Sequence, residues 1–132
     1  SRIQHRGKPL MELPSFRQRV VKAELELMAL EVTNLRVLAA ARDGGVPGAE
    51  SSLLKVRGSE LRQELSELTR RALGPAALPF FPDFLHGDDS LDDERAQSAA
   101  ASAQYFNRRK LSIYGGANEI QKSIVAKTIL NM

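Results

Sequence analysis

Cysteine and tryptophan are both absent from this 132-residue chain. Without cysteine there is no disulfide framework, no thiolate nucleophile and no cysteine-ligated metal, and a reducing compartment is expected. Aromatic residues make up only 5% of the chain, too few to stack on successive bases. Cations alternate with carboxylates (Arg17, Lys22, Glu24, Glu26, Arg62, Glu64) instead of forming one basic face, so the formal charge of +3 describes a solvated surface. The runs Arg70-Arg71 and Arg108-Arg109-Lys110 are too short to change that, and no nucleic-acid partner is expected. No apolar run approaches the roughly 20 residues that a membrane-spanning helix needs, and residues 1–9 are basic and polar, unlike a signal-peptide core. No membrane insertion is expected, and the expected location is cytoplasmic.

Candidate chemistry from side chains is also sparse. His5 and His86 are far apart in sequence, with no nucleophile or second ligand beside them, and neither reads as catalytic. The acidic stretch Asp88, Asp89, Asp92, Asp93 and Glu94 lacks the glycine and ligand spacing of a calcium loop. It suits the positive end of a helix dipole instead, and no metal site is expected.

What remains is a chain that is 42% apolar, enough for one compact domain of modest core. Apolar residues recur at spacings of three and four, which predicts four helices and an all-α, four-helix up-and-down bundle. The first helix is expected to start after Pro14 and to end near Asp43-Gly44-Gly45, about eight turns on. Phe16, Val20, Ala23, Leu27, Leu30, Asn34, Val37 and Ala41 form one stripe on it; Val21, Leu25, Met28, Val32, Leu35 and Ala39 form a second. Two stripes ask for neighbours on two sides: either this is the central helix of the bundle, or the second stripe meets another subunit or domain.

The second helix is predicted from about Pro47 to Leu73, with Leu54, Gly58, Leu61, Leu65, Leu68 and Ala72 on one face and Gly74-Pro75 ending it. Gly58 should admit a neighbouring helix closely. Residues 75–89, with Phe80, Phe81 and Phe84, read as an ordered crossover whose rings pack on the bundle. Ser90 with Asp93 resembles a capping box for a third helix running toward Arg109. The last helix should begin near Asn118, after Gly115-Gly116.

The run Ile113-Tyr114-Gly115-Gly116-Ala117-Asn118-Glu119-Ile120-Gln121, preceded by Tyr105-Phe106-Asn107-Arg108-Arg109-Lys110, resembles the closing signature of acyl-CoA dehydrogenases. Gly7-Lys8-Pro9-Leu10 ahead of the first helix and Ala72-Leu73-Gly74 ending the second agree in order and separation, so the resemblance spans essentially the whole chain. The stretch from Ser51 to Leu61 looks most like bacterial members. By that resemblance, residues 1–132 are the C-terminal helical domain of an enzyme whose N-terminal helical and middle β domains are not included.

The activity it implies is oxidation of an acyl-CoA to the 2,3-enoyl-CoA with FAD as cofactor, in a homodimer or tetramer that passes electrons to electron-transfer flavoprotein or a similar acceptor. Gly115 falls where many members carry the catalytic glutamate, so no base is available there and the carboxylate is expected upstream. Tyr114, Gly115 and Gly116 are implied to line the acyl-CoA site, with the Gly115 N–H on the thioester carbonyl. Ala117, Asn118 and Glu119 match the flavin-contacting triplet, although Ala117 replaces a usual hydroxyl residue. Arg71 and Gly74 match the stretch that reaches flavin in a neighbouring subunit, and Arg2 approximates a flavin-contacting arginine. Two rival functions share these residues: a non-catalytic partner subunit of a heteromeric dehydrogenase, or a stand-alone helical interaction module.

Overall fold

A computed structural model describes residues 4–5, 7–42, 44, 48–82 and 92–130. Arg2, Phe84, His86, Asp88, Asp89 and Ser90 lie outside them. The protein is all-α, as expected, with four long helices among the described residues: α1 (Pro14–Arg42), α2 (Ala49–Leu73), α3 (Asp93–Asn107) and α4 (Asn118–Leu130). One minor addition is a two-residue antiparallel pairing of β1 (Gln4–His5) with β2 (Lys8–Pro9) around Gly7. Contacts group the chain into two compact units, residues 1–21 with 63–109, and residues 22–62 with 110–132.

In the first unit a short 3-10 turn, Leu10–Glu12, leads to Pro14, whose missing N–H costs nothing at the first helical position. Its buried core is Leu10, Leu68, Ala77, Ala99 and Ala101, with Ser66 and Ser98. Arg19 ties α1 to α2 by an ion pair with Glu64 at 2.8 Å. α2 ends in a second 3-10 turn, Gly74–Ala77, and the Ser102 hydroxyl of α3 donates to the Ala77 carbonyl. The cap of α3 is Asp92, whose carboxylate accepts from the Arg95 N–H at 2.8 Å; this replaces the expected cap at Ser90. Phe81 is half-buried, but the Phe80 ring is 77% exposed with Leu78 exposed beside it, so of the two crossover rings described only Phe81 packs as expected. Phe80 and Leu78 border an apolar cavity of about 310 Å³ with Phe81, Ala99 and Phe106.

In the second unit α1 contributes Ala23, Glu26, Leu30, Thr33 and Val37 to the covered side, while Leu27 is 54% exposed and Asn34 and Ala41 are exposed. Ala23, Leu30 and Val37 are covered as expected, while Glu26 and Thr33 take the places that the sequence assigns to Leu27 and Asn34. Glu26 takes Leu27's place by pairing with Arg57 at 2.9 Å. The second apolar stripe of α1 is exposed throughout, Leu25 and Met28 each at 62%. On α4 Ile120, Ile124 and Ile129 are exposed as well.

α2 buries Ala49, Ser52, Val56, Ser59 and Leu61 in this unit. Ser52, Ser59 and, in the first unit, Ser66 recur every seven residues, and Ser59 and Ser66 donate to carbonyls three residues back at 2.8 and 2.7 Å. A hydroxyl satisfied by its own helix can be buried cheaply, which is how serines outside the expected apolar face come to be covered. Leu65 is displaced to the exposed side. Gly58 admits no close neighbour: a Cβ built there meets nothing within 4 Å, contrary to the expectation of a tight approach.

Candidate functional site

After α3 the backbone tightens into a 3-10 turn, Arg108–Ser112. Ile113 and Tyr114 both donate backbone N–H bonds to the Lys110 carbonyl, at 2.9 and 3.3 Å, and this brings Tyr114 to the surface with Lys110 Nζ 5.9 Å from its ring centre. Gly115 and Gly116 follow at φ +70° and +86°, a left-handed pair that residues with a Cβ adopt only at a cost. At Gly116 a Cβ would also collide with the side-chain amide of Gln121. Glycine therefore keeps this backbone approachable.

The helical bonds of α4 begin with Gln121 N–H to the Ala117 carbonyl at 3.0 Å, which makes Ala117 the capping residue. Alanine has no acceptor to offer, so the N–H groups of Asn118, Glu119 and Ile120 receive no cap from its side chain. Glu119 is exposed in this first turn, where the dipole favours a carboxylate. Asn118 behaves differently. Its side chain is buried, 5% exposed, and its Oδ1 accepts from Lys55 Nζ at 2.8 Å while its Nδ2 meets Ser59 Oγ at 3.1 Å. What Asn118 offers outward is its backbone.

Tyr114, Gly115, Gly116, Ala117, Asn118 and Glu119 thus form one continuous stretch of the second unit. Arg71 and Gly74 belong to the first unit. Gly74 has φ +58° where α2 passes into its closing turn. Arg71 Nε bonds Glu67 Oε1 at 2.7 Å. That hydrogen bond is the main cause holding the Glu67 carboxyl below its ordinary value; burial opposes it, and the charges of Arg71, Arg19 and Arg70 assist. Arg2 lies outside the described residues. Lys55 and Ser59 escaped sequence reading: their only trace is the seven-residue serine repeat on α2. Among the described residues no group of His, Asp and Glu could hold a metal ion, and no helix is long and apolar enough to cross a membrane.

An all-helical domain whose closing helix is entered through two left-handed glycines and left uncapped presents backbone donors, where most sites present side chains. The chain belongs to the acyl-CoA dehydrogenase family: the model of that family's C-terminal domain matches residues 1–130. The family comprises flavin oxidoreductases and is FAD-dependent in general. No curated protein matches the chain. The residues present fit such a group through the main chain, because Gly115 and Gly116 leave a left-handed backbone bare of side chains and Ala117 offers no capping acceptor to the first turn of α4.

Proposed function

We propose that this chain is the C-terminal domain of a flavin-dependent acyl-CoA dehydrogenase that converts an acyl-CoA to its 2,3-enoyl-CoA, with a helical and a β domain ahead of it. FAD, when bound, supplies the acceptor for the β hydrogen. The chain's own part is to bind and orient. The Gly115 N–H donates to the thioester carbonyl oxygen, where charge builds as the α proton leaves, and Gly116 keeps the adjacent backbone open to the acyl-CoA. Tyr114 covers the same side. The uncapped N–H groups at Asn118 and Glu119, with Ala117, hold the cofactor through the main chain, since helix starts favour anions. By the same resemblance Arg71 and Gly74 serve the flavin of a neighbouring subunit, and Arg2 is a further cofactor contact.

Gly115 has no carboxylate, so the α proton passes to an acid–base group outside this chain. The exposed apolar stripe of α1 supports assembly into a dimer or tetramer, as burial of so much aliphatic surface is favourable. Electron-transfer flavoprotein or a similar carrier takes the electrons onward, and the cytoplasm is the proposed location.

The observation that carries this reading is the left-handed Gly115–Gly116 pair ahead of an uncapped α4, in a chain matched over residues 1–130. The test is to purify the full-length protein, record its visible spectrum and titrate acyl-CoAs. A yellow protein whose flavin band bleaches is expected; a colourless one, indifferent to acyl-CoA, ends the proposal. The glycine at position 115 favours a second reading, a partner subunit without its own base. That reading predicts a protein that bleaches only when mixed with a glutamate-bearing subunit.

A further inference from the structure

On α2, Lys55 and Ser59 stand four residues apart and share one face. Both reach Asn118, the first residue of α4. The Ser59 hydroxyl has one proton and two acceptors within range, the Val56 carbonyl at 2.8 Å and Asn118 Oδ1 at 3.1 Å. The shorter bond takes the proton, and the oxygen is then the acceptor for Asn118 Nδ2 at 3.1 Å. Lys55 removes the remaining ambiguity. An ammonium has only protons to give, so the amide must turn its oxygen toward Lys55 Nζ; the flipped amide would set its NH2 against NH3⁺. Lys55 decides how the amide sits.

This arrangement is not the one that stability of α4 alone would select. A serine or aspartate at position 117 would cap the helix, and a cation beside a helix start opposes the dipole. Here the cap is alanine and the charge bonded to the first residue of the helix is the Lys55 ammonium. Both choices leave the first-turn donors unspent, and they fix the helix start from beneath.

We propose that Lys55 and Ser59 are positioning residues: through Asn118 they set the direction in which the N–H groups from Gly115 to Glu119 point. This rests on the flavin and acyl-CoA reading above. Gly115 and Gly116 have no side chains to constrain them, so Asn118 is the first buried anchor after the turn. A backbone donor is useful to a developing charge only while its direction is fixed.

The test uses the full-length protein with Lys55→Met, which keeps the aliphatic stem and removes the donor, and Lys55→Arg, which returns a cationic donor. Amide-hydrogen exchange at residues 115–120, flavin affinity and the position of the visible flavin band are read together. Lys55→Met is expected to speed exchange at those amides, and to weaken flavin binding, each on the order of tenfold, while exchange in the rest of α4 stays the same. Lys55→Arg should recover most of both. Ser59→Ala carries the same expectation should Lys55→Met fail to fold. Unchanged exchange at 115–120 overturns the proposal whether or not the protein holds flavin. Faster exchange with flavin affinity and band position unaltered also overturns it, since the tie would then be structural only. A colourless unsubstituted protein ends the function proposed above, and the exchange measurement still decides this one.

Discussion

α2 ends and α4 begins at left-handed glycines, and the two turns spend their polar groups in opposite ways. At Gly74 the chain closes on itself: the Leu78 N–H donates to the Pro75 carbonyl at 3.1 Å, the Ser102 hydroxyl donates to Ala77, and Arg70 and Arg71 sit in the last turn, where the negative end of the dipole suits cations. After Gly115 and Gly116 the Asn118 side chain is satisfied inward, by Lys55 and Ser59, and Ala117 gives the first-turn donors of α4 no side-chain cap. A positive φ by itself reports only a turn. The partners of the neighbouring polar atoms are what separate a closed helix end from one poised to receive an oxygen.

The comparison presumes that the two units are equally well packed, and the largest effects test that premise. Leu68→Ala in the first unit and Leu61→Ala in the second, at 5% and 4% exposure, should each cost about 3 kcal/mol in denaturant unfolding. A cost at Leu61 several-fold below that at Leu68 would mean that the second unit is loosely held, and the fixed geometry argued for α4 would go with it. Next comes the contrast between pins. Asn118→Ala takes its acceptor from the half-buried Lys55 ammonium and removes the amide bond to Ser59, and should cost about 2 kcal/mol, whereas Ser102→Ala removes one neutral hydrogen bond and should cost about 1 kcal/mol. Equal costs would erase the distinction between the two ends.

Smaller again are the glycines. Gly74→Ala and Gly115→Ala place a Cβ at φ +58° and +70° with no atom within 4 Å of it, so each should lose about 1 kcal/mol from backbone strain alone. Thermal melts of both variants check this. Only Gly115→Ala is expected to raise the KM for acyl-CoA in proportion to the loss of backbone approach.

Much of the helix plan was legible because its signals are local. Pro14 opens α1, Gly74 closes α2 and Gly115-Gly116 precede α4 at the residues where sequence put them. Ser90 and Asp92 both qualify by type as the cap of α3, and only the backbone shows which side chain meets an N–H three residues on. Faces were harder. Hydropathy equates apolar with covered, yet Leu27 and Leu65 are exposed while Ser52, Ser59 and Ser66 are buried, since a serine can return its proton to its own helix. The turn at 114–119 was readable from its glycines, but its anchor was not: Lys55 meets Asn118 across 63 residues, and no spacing rule reaches that far.

The smallest effect separates the two ends by acid. Glu67 accepts from Arg71 Nε at 2.7 Å and lies 3.8 Å from Arg19 Nη2, and its carboxyl is held below the ordinary value chiefly by the Arg71 hydrogen bond. In the unfolded chain those arginines disperse and the carboxyl returns to its ordinary value, so the unfolded form binds the proton more readily. The stabilisation is complete above the ordinary carboxylate value and is lost as pH falls through the lowered folded one. Thermal melts across that acid window should show the melting temperature falling, and Arg71→Ala should flatten the fall while costing only about 0.5 kcal/mol at neutral pH, as expected for an exposed pair. The Asn118 amide does not titrate, so Asn118→Ala should lower the whole curve without changing its acid slope. Parallel slopes for wild type and Arg71→Ala would show that the closed end of α2 does not depend on its charge pair, and the contrast between the two ends would then rest on hydrogen bonds alone.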